Sequence, residues 1–275
     1  MPKCVACHVR NSLCGSAHDW PSLGFGPKKV VLGKATSVLL VPHIGEFDEY
    51  ALFTKNLDYE APVFEWLERN VALAYDIVVE VGANVGIYTI FFAALMRYRT
   101  SRLAKVVAFE PSPEAFARLL QNLRANHTAG SVIAFQAAVG GSAGLRLFFE
   151  PRGHLTNGSF VREFSEKFSD SIAETPVVMI HGKELERFFV DGEKALIKID
   201  VEGYEPRLIG ALSPLISKYR PDLLIEVLSD TAGELEASSA LAMYDKFLLT
   251  STGPARSKTL FASPSHRDWL LRWPA

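Results

Sequence analysis

The sequence predicts an α/β fold built on a mainly parallel sheet. Short apolar runs recur along the chain and indicate buried strands at residues 77–81, 106–109, 132–135, 196–199 and 223–227. Helical patterns separate several of these runs, and such an alternation is typical of parallel strands joined by helices. A glycine turn directly follows the first run, at the position where folds of this kind often bind a nucleotide-like cofactor.

The N-terminal part of the chain is predicted to be an extension, residues 1–60, that precedes the main domain of residues 61–275. It combines a tail with elements that pack on the core. Residues 29–43 predict one or two strands around a turn at Gly33 and Lys34. The next segment, residues 61–73, predicts a helix that leads up to the glycine turn.

Two helices are predicted after the glycine turn. Residues 87–96 are the longest apolar stretch of the chain, yet they have only about half the length that a bilayer span needs, so we expect a core helix and no membrane span. Residues 112–127 predict an amphipathic helix, because Ser112 can cap its start and Pro113 suits its first position.

The alternation of strand and helix patterns is interrupted between residues 145 and 180. Strands are predicted at residues 145–150 and 175–180, and the polar insertion between them, residues 151–170, is long for a connection. Such insertions often carry binding function. Near the C-terminus we predict a helix through residues 241–249 and a strand pair near residues 258–263.

Composition limits the classes of partner. With 275 residues, 48% apolar residues and a formal charge of -2, the chain can bury one large core and has no basic excess for binding nucleic acid. The three cysteines lie at Cys4, Cys7 and Cys14. Together with His8 they fit a haem-attachment spacing or a zinc knuckle, but neither an export segment nor a strong zinc template accompanies them. We favour a weakly ordered tail and a cytoplasmic protein.

The glycine turn argues against a cofactor that contains a pyrophosphate. Gly82 and Gly86 give the spacing G-x-x-x-G, and Asn84 stands where a dinucleotide site needs a glycine for close approach of the phosphates. Glu80, just before the turn, can receive an ammonium group and would repel a phosphate. The pattern therefore suits a cofactor without phosphate, whose amino-acid end lies over the turn.

Polar residues at the ends of other predicted strands complete a site. Glu110 can accept hydrogen bonds from both hydroxyls of a ribose, as NAD or S-adenosylmethionine would offer. Gln136 and the backbone near Ala137 can reach the edge of an adenine. Asp200 and Glu202 follow the fourth strand at the same edge of the sheet, where a carboxylate can face the group to be transferred.

Five sequence blocks carry a resemblance to a known family. In order they are EVGANVGIYT, VVAFEPSPEAFARLLQNLRAN, AAVG, LIKIDVEGYEPRLIGAL and RPDLLIEV, and they cover roughly residues 60–228. Together they resemble the FkbM-type S-adenosylmethionine-dependent methyltransferases. The resemblance implies a class I methyltransferase, Rossmann-like fold, with a seven-stranded, mainly parallel sheet, one antiparallel strand and helices on both faces. It also implies S-adenosyl-L-methionine as cofactor. Glu80 departs from the family, which usually has Asp there, but it keeps the carboxylate.

This resemblance and the strand ends together predict the site residues. The predicted cofactor-binding residues are Glu80, Gly82, Ala83, Asn84, Gly86, Tyr88, Thr89, Glu110, Pro111, Gln136, Ala137 and Asp200. The catalytic candidates are Asp200, Glu202 and His154, each of which could act as a base. The predicted substrate-binding residues are His154, Asn157, Ser159 and Glu226.

The reaction implied by the resemblance is O-methylation of a hydroxyl on a sugar, glycan or natural product. Metal-dependent relatives of this fold use a carboxylate on the fourth strand with a nearby Asp-Asn pair, and no such pair follows Asp200, so we expect no metal. Two alternatives stay open: a nicotinamide-dependent Rossmann oxidoreductase and a non-catalytic adenosine-binding domain.

Overall fold

An eight-stranded sheet forms the centre of the protein. The computed structural model describes residues 26–97, 105–128 and 130–274. The predictions for Cys4, Cys7, His8 and Cys14 lie outside the described residues. Within these ranges the strands are β1 (Lys28–Leu32), β2 (Thr36–Leu40), β3 (Ile77–Val81), β4 (Lys105–Phe109), β5 (Val132–Phe135), β6 (Ala138–Gly140), β7 (Gly144–Pro151), β8 (Ile172–His181), β9 (Ala195–Ile199), β10 (Asp222–Glu226), β11 (Asp245–Thr250), β12 (Gly253–Ser257) and β13 (Asp268–Arg272).

Helices connect most of these strands. The α-helices are α1 (Ala61–Ala74), α2 (Ile87–Met96), α3 (Pro113–Ala125), α4 (Arg162–Ser165), α5 (Glu205–Tyr219) and α6 (Ala232–Glu236). Short 3-10 helices lie at Phe47–Leu52, Leu155–Asn157, Gly182–Phe188 and Ser239–Leu241. As predicted, Ser112 caps α3, because its Oγ accepts a hydrogen bond from the Ala115 N–H.

The main sheet has the order β12-β11-β13-β10-β9-β3-β4-β5. In the part of the sheet with the order β10-β9-β3-β4-β5, adjacent strands are parallel. Strand β13 is antiparallel to β10 and to β11. The prediction of a mainly parallel α/β sheet is therefore confirmed. The implied seven strands with one antiparallel strand are present, and β12 adds an eighth at the edge through an antiparallel hairpin with β11.

Helices cover both faces of the sheet, as the resemblance implied. Alternate residues of β3 point to opposite faces, so Ile77 and Val79 pack with α5 while Val78 packs with α1 and α2. All five residues of β3 are buried, and the same holds for β9. Burial on both faces is why these strands are apolar in the sequence apart from one charged residue each, Glu80 in β3 and Lys198 in β9.

The hairpin of β1 and β2 docks on α3 through two asparagines. Asn126 accepts a hydrogen bond from the Leu39 N–H at 2.8 Å and donates one to the Leu39 carbonyl at 2.6 Å, so its amide acts like a neighbouring strand. Asn122 accepts from the Val41 N–H and donates to the Val85 carbonyl, both at 2.8 Å. Asn122 thus ties this hairpin to the turn after β3.

The C-terminal predictions were wrong. Residues 245–250 form β11, not a helix, and residues 258–263 contain no strand, since the strands lie at residues 253–257 and 268–272. The apolar residues of segment 241–249 fit a helical spacing, but hydrogen bonds to β13 and β12 on either side fix residues 245–250 as a strand. Non-local pairing overrides the local pattern here.

None of the helices among the described residues is long and apolar enough to cross a membrane.

Candidate active site

A cleft opens at the carboxyl ends of β3, β4 and β9. The space enclosed between its walls and open solvent is about 860 Å³. Ligands of open parallel sheets bind at this edge. Ten of the predicted site residues line the cleft: Glu80, Gly82, Ala83, Asn84, Tyr88, Glu110, Pro111, Ala137, Asp200 and Glu202.

The two glycines of the turn are required by close packing. Gly82 has φ +88°, and a Cβ there would lie 1.7 Å from the Asp200 carbonyl oxygen. Only glycine therefore lets the turn after β3 lie against the end of β9. Gly86 has φ +84°, and a Cβ there would lie 2.1 Å from Leu119 Cδ1. Gly86 lies outside the cleft wall, whereas Gly82 is part of it.

Glu110 joins the loops that follow β3 and β4. Its Oε2 accepts a hydrogen bond from the Asn84 N–H and its Oε1 accepts one from the Ser112 N–H, both at 2.7 Å. Burial raises the pKa of Glu110 to about 7, although these two backbone hydrogen bonds oppose the shift. A carboxylate offers about four lone-pair positions, so Glu110 retains acceptors for the two hydroxyls of a ribose.

Asn84 turns its side chain back onto its own loop. Its φ is +50°, a left-handed conformation that asparagine tolerates, and its Oδ1 accepts a hydrogen bond from the Val85 N–H at 2.6 Å. Asn84 lines the cleft. A bulky polar group thus stands where a pyrophosphate would need open backbone.

Glu80 is a buried carboxyl group at the floor of the cleft. It is 1% exposed, and its Oε2 accepts a hydrogen bond from Thr89 Oγ at 2.6 Å. Burial raises the pKa of Glu80 to about 7, while the nearby charge of Lys198 opposes the shift. Thr89 itself does not line the cleft, so it orients Glu80 from behind.

Lys198 is a central residue that was not among the predicted site residues. Its Nζ lies 2.9 Å from Asp200 Oδ2 and 4.2 Å from the centre of the Tyr88 ring. Although burial disfavours its charge, the carboxyl groups of Asp200, Glu80 and Glu60 raise the pKa of Lys198. A lysine inside a fully buried strand is rare, and the pattern LIKID was the signal that could have revealed it.

A second buried network supports Lys198 from the side of α1. The Tyr88 hydroxyl donates a hydrogen bond to the Glu60 carboxyl group, and the Tyr88 ring stacks on Phe64 with centres 4.5 Å apart. Burial raises the pKa of Glu60. Tyr59, next to Glu60, lines the cleft. Neither Glu60 nor Tyr59 carried a recognisable sequence signal.

Three carboxyl groups meet on the other side of the cleft. One oxygen each of Asp200, Glu202 and Glu226 lies within 4.8 Å of the other two. Burial, followed by the charges of Asp200 and Glu226, raises the pKa of Glu202 to about 10. Burial and Asp200 likewise raise the pKa of Glu226 to about 8, against the opposing charge of Arg267. Glu226 lies behind the cleft wall rather than in it.

The loop between β7 and β8 forms one wall of the cleft. It contributes Leu155, Thr156, Gly158 and Phe160. Ser159 fastens the loop, because its Oγ donates to the Glu202 carbonyl at 2.6 Å and accepts from the Val161 N–H at 2.9 Å. The loop and the Glu202 turn are therefore held together.

Some predicted residues do not reach the cleft wall. Besides Gly86, Thr89 and Glu226, they are Gln136, His154, Asn157 and Ser159. Gln136 and His154 are exposed to solvent, and Asn157 accepts a hydrogen bond from Thr156 through its side chain. The sequence predicted binding residues in the loop between β7 and β8, and this loop lines the cleft through other residues than the predicted ones.

An α/β sheet in this strand order, with a carboxylate-rich cleft at the carboxyl ends of its parallel strands, defines a class I methyltransferase fold. The chain belongs to the Methyltransferase FkbM domain family, which matches residues 80–257, more than half of its length. The resemblance noted in the sequence is confirmed by this match.

Two curated relatives match parts of the chain. Methyltransferase sdnD of Sordaria araneosa is 31% identical over 53% of this chain and 49% of that protein. Hexuronic acid methyltransferase AglP of Haloferax volcanii is 29% identical over 50% of each. The chain thus matches about half the length of these relatives.

Solved structures resemble the chain at low sequence identity. Methyltransferase FkbM from Methylobacillus flagellatus KT gives a TM-score of 0.46 at 14% identity, covering 72% of this chain and 43% of that one. A SAM-dependent methyltransferase from Agrobacterium tumefaciens gives 0.47 at 13% identity, covering 91% and 71%. Neither likeness bears on what this chain binds.

Proposed function

We propose that this chain is an S-adenosyl-L-methionine-dependent methyltransferase that methylates a hydroxyl group of a sugar, glycan or natural product. The observation that carries the proposal is the pair of buried carboxyl groups, Glu80 and Glu110, on either side of the Gly82 turn in one cleft. Membership of the FkbM family supports the same reaction.

The residues of the cleft fit this cofactor. Glu110 would hold the ribose hydroxyls through its remaining lone pairs, and Glu80 would attract the ammonium group. Phe109, Pro111 and Val139 add apolar wall beside Ala137 where an adenine ring can pack. The acidic character of the cleft also favours a ligand that carries a positive charge at sulfur.

When bound, this cofactor supplies a methyl group that its sulfonium makes electrophilic. The protein must align the acceptor and remove its proton. As the acceptor oxygen bonds to the methyl carbon, the carbon–sulfur bond breaks, sulfur keeps the electron pair, and the hydroxyl proton passes to a base. The products are the methyl ether and S-adenosylhomocysteine.

We assign the base to Asp200 among the three candidates. Asp200 lines the cleft and is held by Lys198. Glu202 also lines the cleft, but burial and the neighbouring charges of Asp200 and Glu226 raise its pKa and disfavour its charged form, so it is the weaker choice of base. His154 is exposed outside the cleft wall. Asp200 is thus the candidate whose position and contacts suit proton removal.

The relatives guide the choice of acceptor. The name of AglP describes a hexuronic acid methyltransferase, so hexuronic acids and neutral hexoses are the first acceptors to examine. The formal charge of -2 and the acidic cleft support a small-molecule or glycan acceptor over nucleic acid.

The direct test is methyl transfer from labelled S-adenosylmethionine to a panel of sugars and polyhydroxylated natural products. We expect transfer by the wild type and a loss of about 10²- to 10⁴-fold in Asp200→Asn, which is the range for removal of a general base. The matched control is Asp191→Asn, an exposed aspartate in a turn. Full turnover in Asp200→Asn would remove its proposed role. Cofactor binding with no transfer to any acceptor would favour the non-catalytic alternative.

A further inference from the structure

The carboxyl ends of β9 and β10 bring three acidic side chains together. The two strands are parallel neighbours with Ile199 opposite Ile225, so the residues that end them lie side by side. Asp200 follows β9 directly and Glu226 is the last residue of β10. Glu202 joins them from a left-handed turn at φ +51°. The strand register therefore builds the cluster from residues far apart in the chain.

The spacing of these oxygens fits a single cation. Oxygen ligands lie about 2.1 to 2.5 Å from Mg²⁺, Mn²⁺ or Ca²⁺, so two ligands of one ion are at most about 5 Å apart. One oxygen from each of Asp200, Glu202 and Glu226 lies within 4.8 Å of the others. The donor set consists of oxygen alone, which suits these hard cations better than zinc or copper.

Buried oxygens without partners provide a second observation. Glu205 is fully buried, and its Oε1 accepts hydrogen bonds from the Val201 and Gly203 N–H groups of the turn that carries Asp200 and Glu202. Its Oε2 has no hydrogen-bond partner among the described residues, and neither has the buried Oε2 of Glu226. A buried acceptor without a partner is costly.

Nearby positive charge is scarce in comparison. Lys198 pairs with Asp200 at 2.9 Å, and Arg267, which is 63% exposed, lies 3.5 Å from Glu226. Among the described residues, the cluster therefore has two positively charged ion-pair partners. With Glu205 included, it has four carboxyl groups. A bound cation would supply the missing charge and the missing partners together.

We propose that Asp200, Glu202 and Glu226 bind one divalent cation of the Mg²⁺, Mn²⁺ and Ca²⁺ class. Asp200 and Glu202 also line the cleft, so an acceptor hydroxyl can reach the cation, which lowers the pKa of an oxygen that it binds. This role, which rests on the proposed function, makes Asp200 a ligand as well as the base: the cation lowers the pKa of the acceptor hydroxyl, and the proton of that hydroxyl passes to Asp200. The sequence predicted no metal because an Asp-Asn pair is absent; Glu226, from the neighbouring strand, takes that place here.

The test is titration of the full chain with Mn²⁺, followed by the electron paramagnetic resonance signal of free Mn²⁺, with and without S-adenosylhomocysteine. We expect one Mn²⁺ per chain, competition by Mg²⁺ or Ca²⁺, and at least tenfold weaker binding in Glu226→Gln. Glu226 lies outside the cleft wall, so this variant should still bind S-adenosylhomocysteine. The matched control is Glu234→Gln, an exposed residue of α6.

Two outcomes would overturn the cation site: no Mn²⁺ binding at millimolar concentration by folded protein, or equal binding by wild type and Glu226→Gln. Both leave the proposed function intact if S-adenosylhomocysteine still binds. Binding of Mn²⁺ without binding of S-adenosylhomocysteine would instead contradict the proposed function. Should circular dichroism show that Glu226→Gln does not fold, Glu202→Gln takes its place with the same expectation for Mn²⁺ binding.

Discussion

At the scale of single residues, Glu110 combines a structural role with a proposed binding role. Its two oxygens hold the backbone of the turn after β3 and of the start of α3. The same carboxyl group is 5% exposed and faces the cleft. Because two acceptor positions stay free, a ligand with a pair of neighbouring hydroxyls can complete its hydrogen bonding.

The raised pKa of Glu110 predicts a pH dependence of cofactor binding. With a pKa of about 7, this carboxyl group is mainly ionised at pH 8 and mainly protonated at pH 6. A protonated carboxyl group has fewer lone pairs for the ribose, so the affinity should fall as the pH falls. We expect the Kd of S-adenosylhomocysteine to rise up to about tenfold from pH 8 to pH 6.

Calorimetry at several pH values measures this effect in the wild type and in Glu110→Gln. The variant should show a weaker pH dependence, and what remains would come from Glu80, whose pKa is also about 7. Glu114→Gln, at an exposed position of α3, is the control. Affinity that stays constant or increases at pH 6 would contradict this role of Glu110.

At the scale of structural elements, two turns meet in the cleft. The turn between β3 and α2 lies directly against the end of β9, and Gly82 is the point of contact. The position of Asp200 therefore depends on the absence of a side chain in a different element. The loop between β7 and β8 is attached to the same region through Ser159.

Substitution of Gly82 tests this contact against a matched glycine. Gly82 and Gly130 have nearly the same φ, +88° and +89°, but a Cβ at Gly130 would meet nothing within 4 Å. Gly130→Ala should cost only the conformational strain of about 1–2 kcal/mol. Gly82→Ala should cost several kcal/mol more, because its Cβ collides with backbone that must move. Urea denaturation compares the two, and equal losses of stability would show that the contact is not tight.

The elements that the sequence predicted well are those with a strong local cause. Strands β3 and β9 are buried on both faces and are apolar at four of their five positions, and α3 has both a cap and a proline at its start. In contrast, β11 is defined by its partners β12 and β13. Its sequence alone is compatible with a helix, so a local pattern could not identify it.

The site residues also divide into those that a general rule predicts and those that depend on irregular structure. Glu80, Glu110 and Asp200 follow from topology, because the carboxyl ends of parallel strands meet at one edge. Phe160 lines the cleft from the loop between β7 and β8, whose conformation the sequence does not encode by any period. Lys198 was not among the predicted site residues, since these were placed mainly at strand ends.

At the scale of the whole molecule, topology, the acidic cleft and family membership agree. Parallel strands bring Glu80, Glu110 and Asp200 to one side of the sheet, and the FkbM family matches the region that contains all three. Asn84 occupies the place where a dinucleotide site needs glycine. The protein should therefore distinguish a nucleoside that carries a positive charge from one that carries a pyrophosphate.

The most direct measurement is calorimetric titration of the purified chain with S-adenosylhomocysteine beside NAD, repeated with Glu110→Ala. We predict micromolar binding of S-adenosylhomocysteine, no comparable binding of NAD, and a large loss of affinity in the variant. Preference for NAD, or no binding of S-adenosylhomocysteine by the folded protein, would contradict the assignment of the cleft and the methyltransferase function built on it.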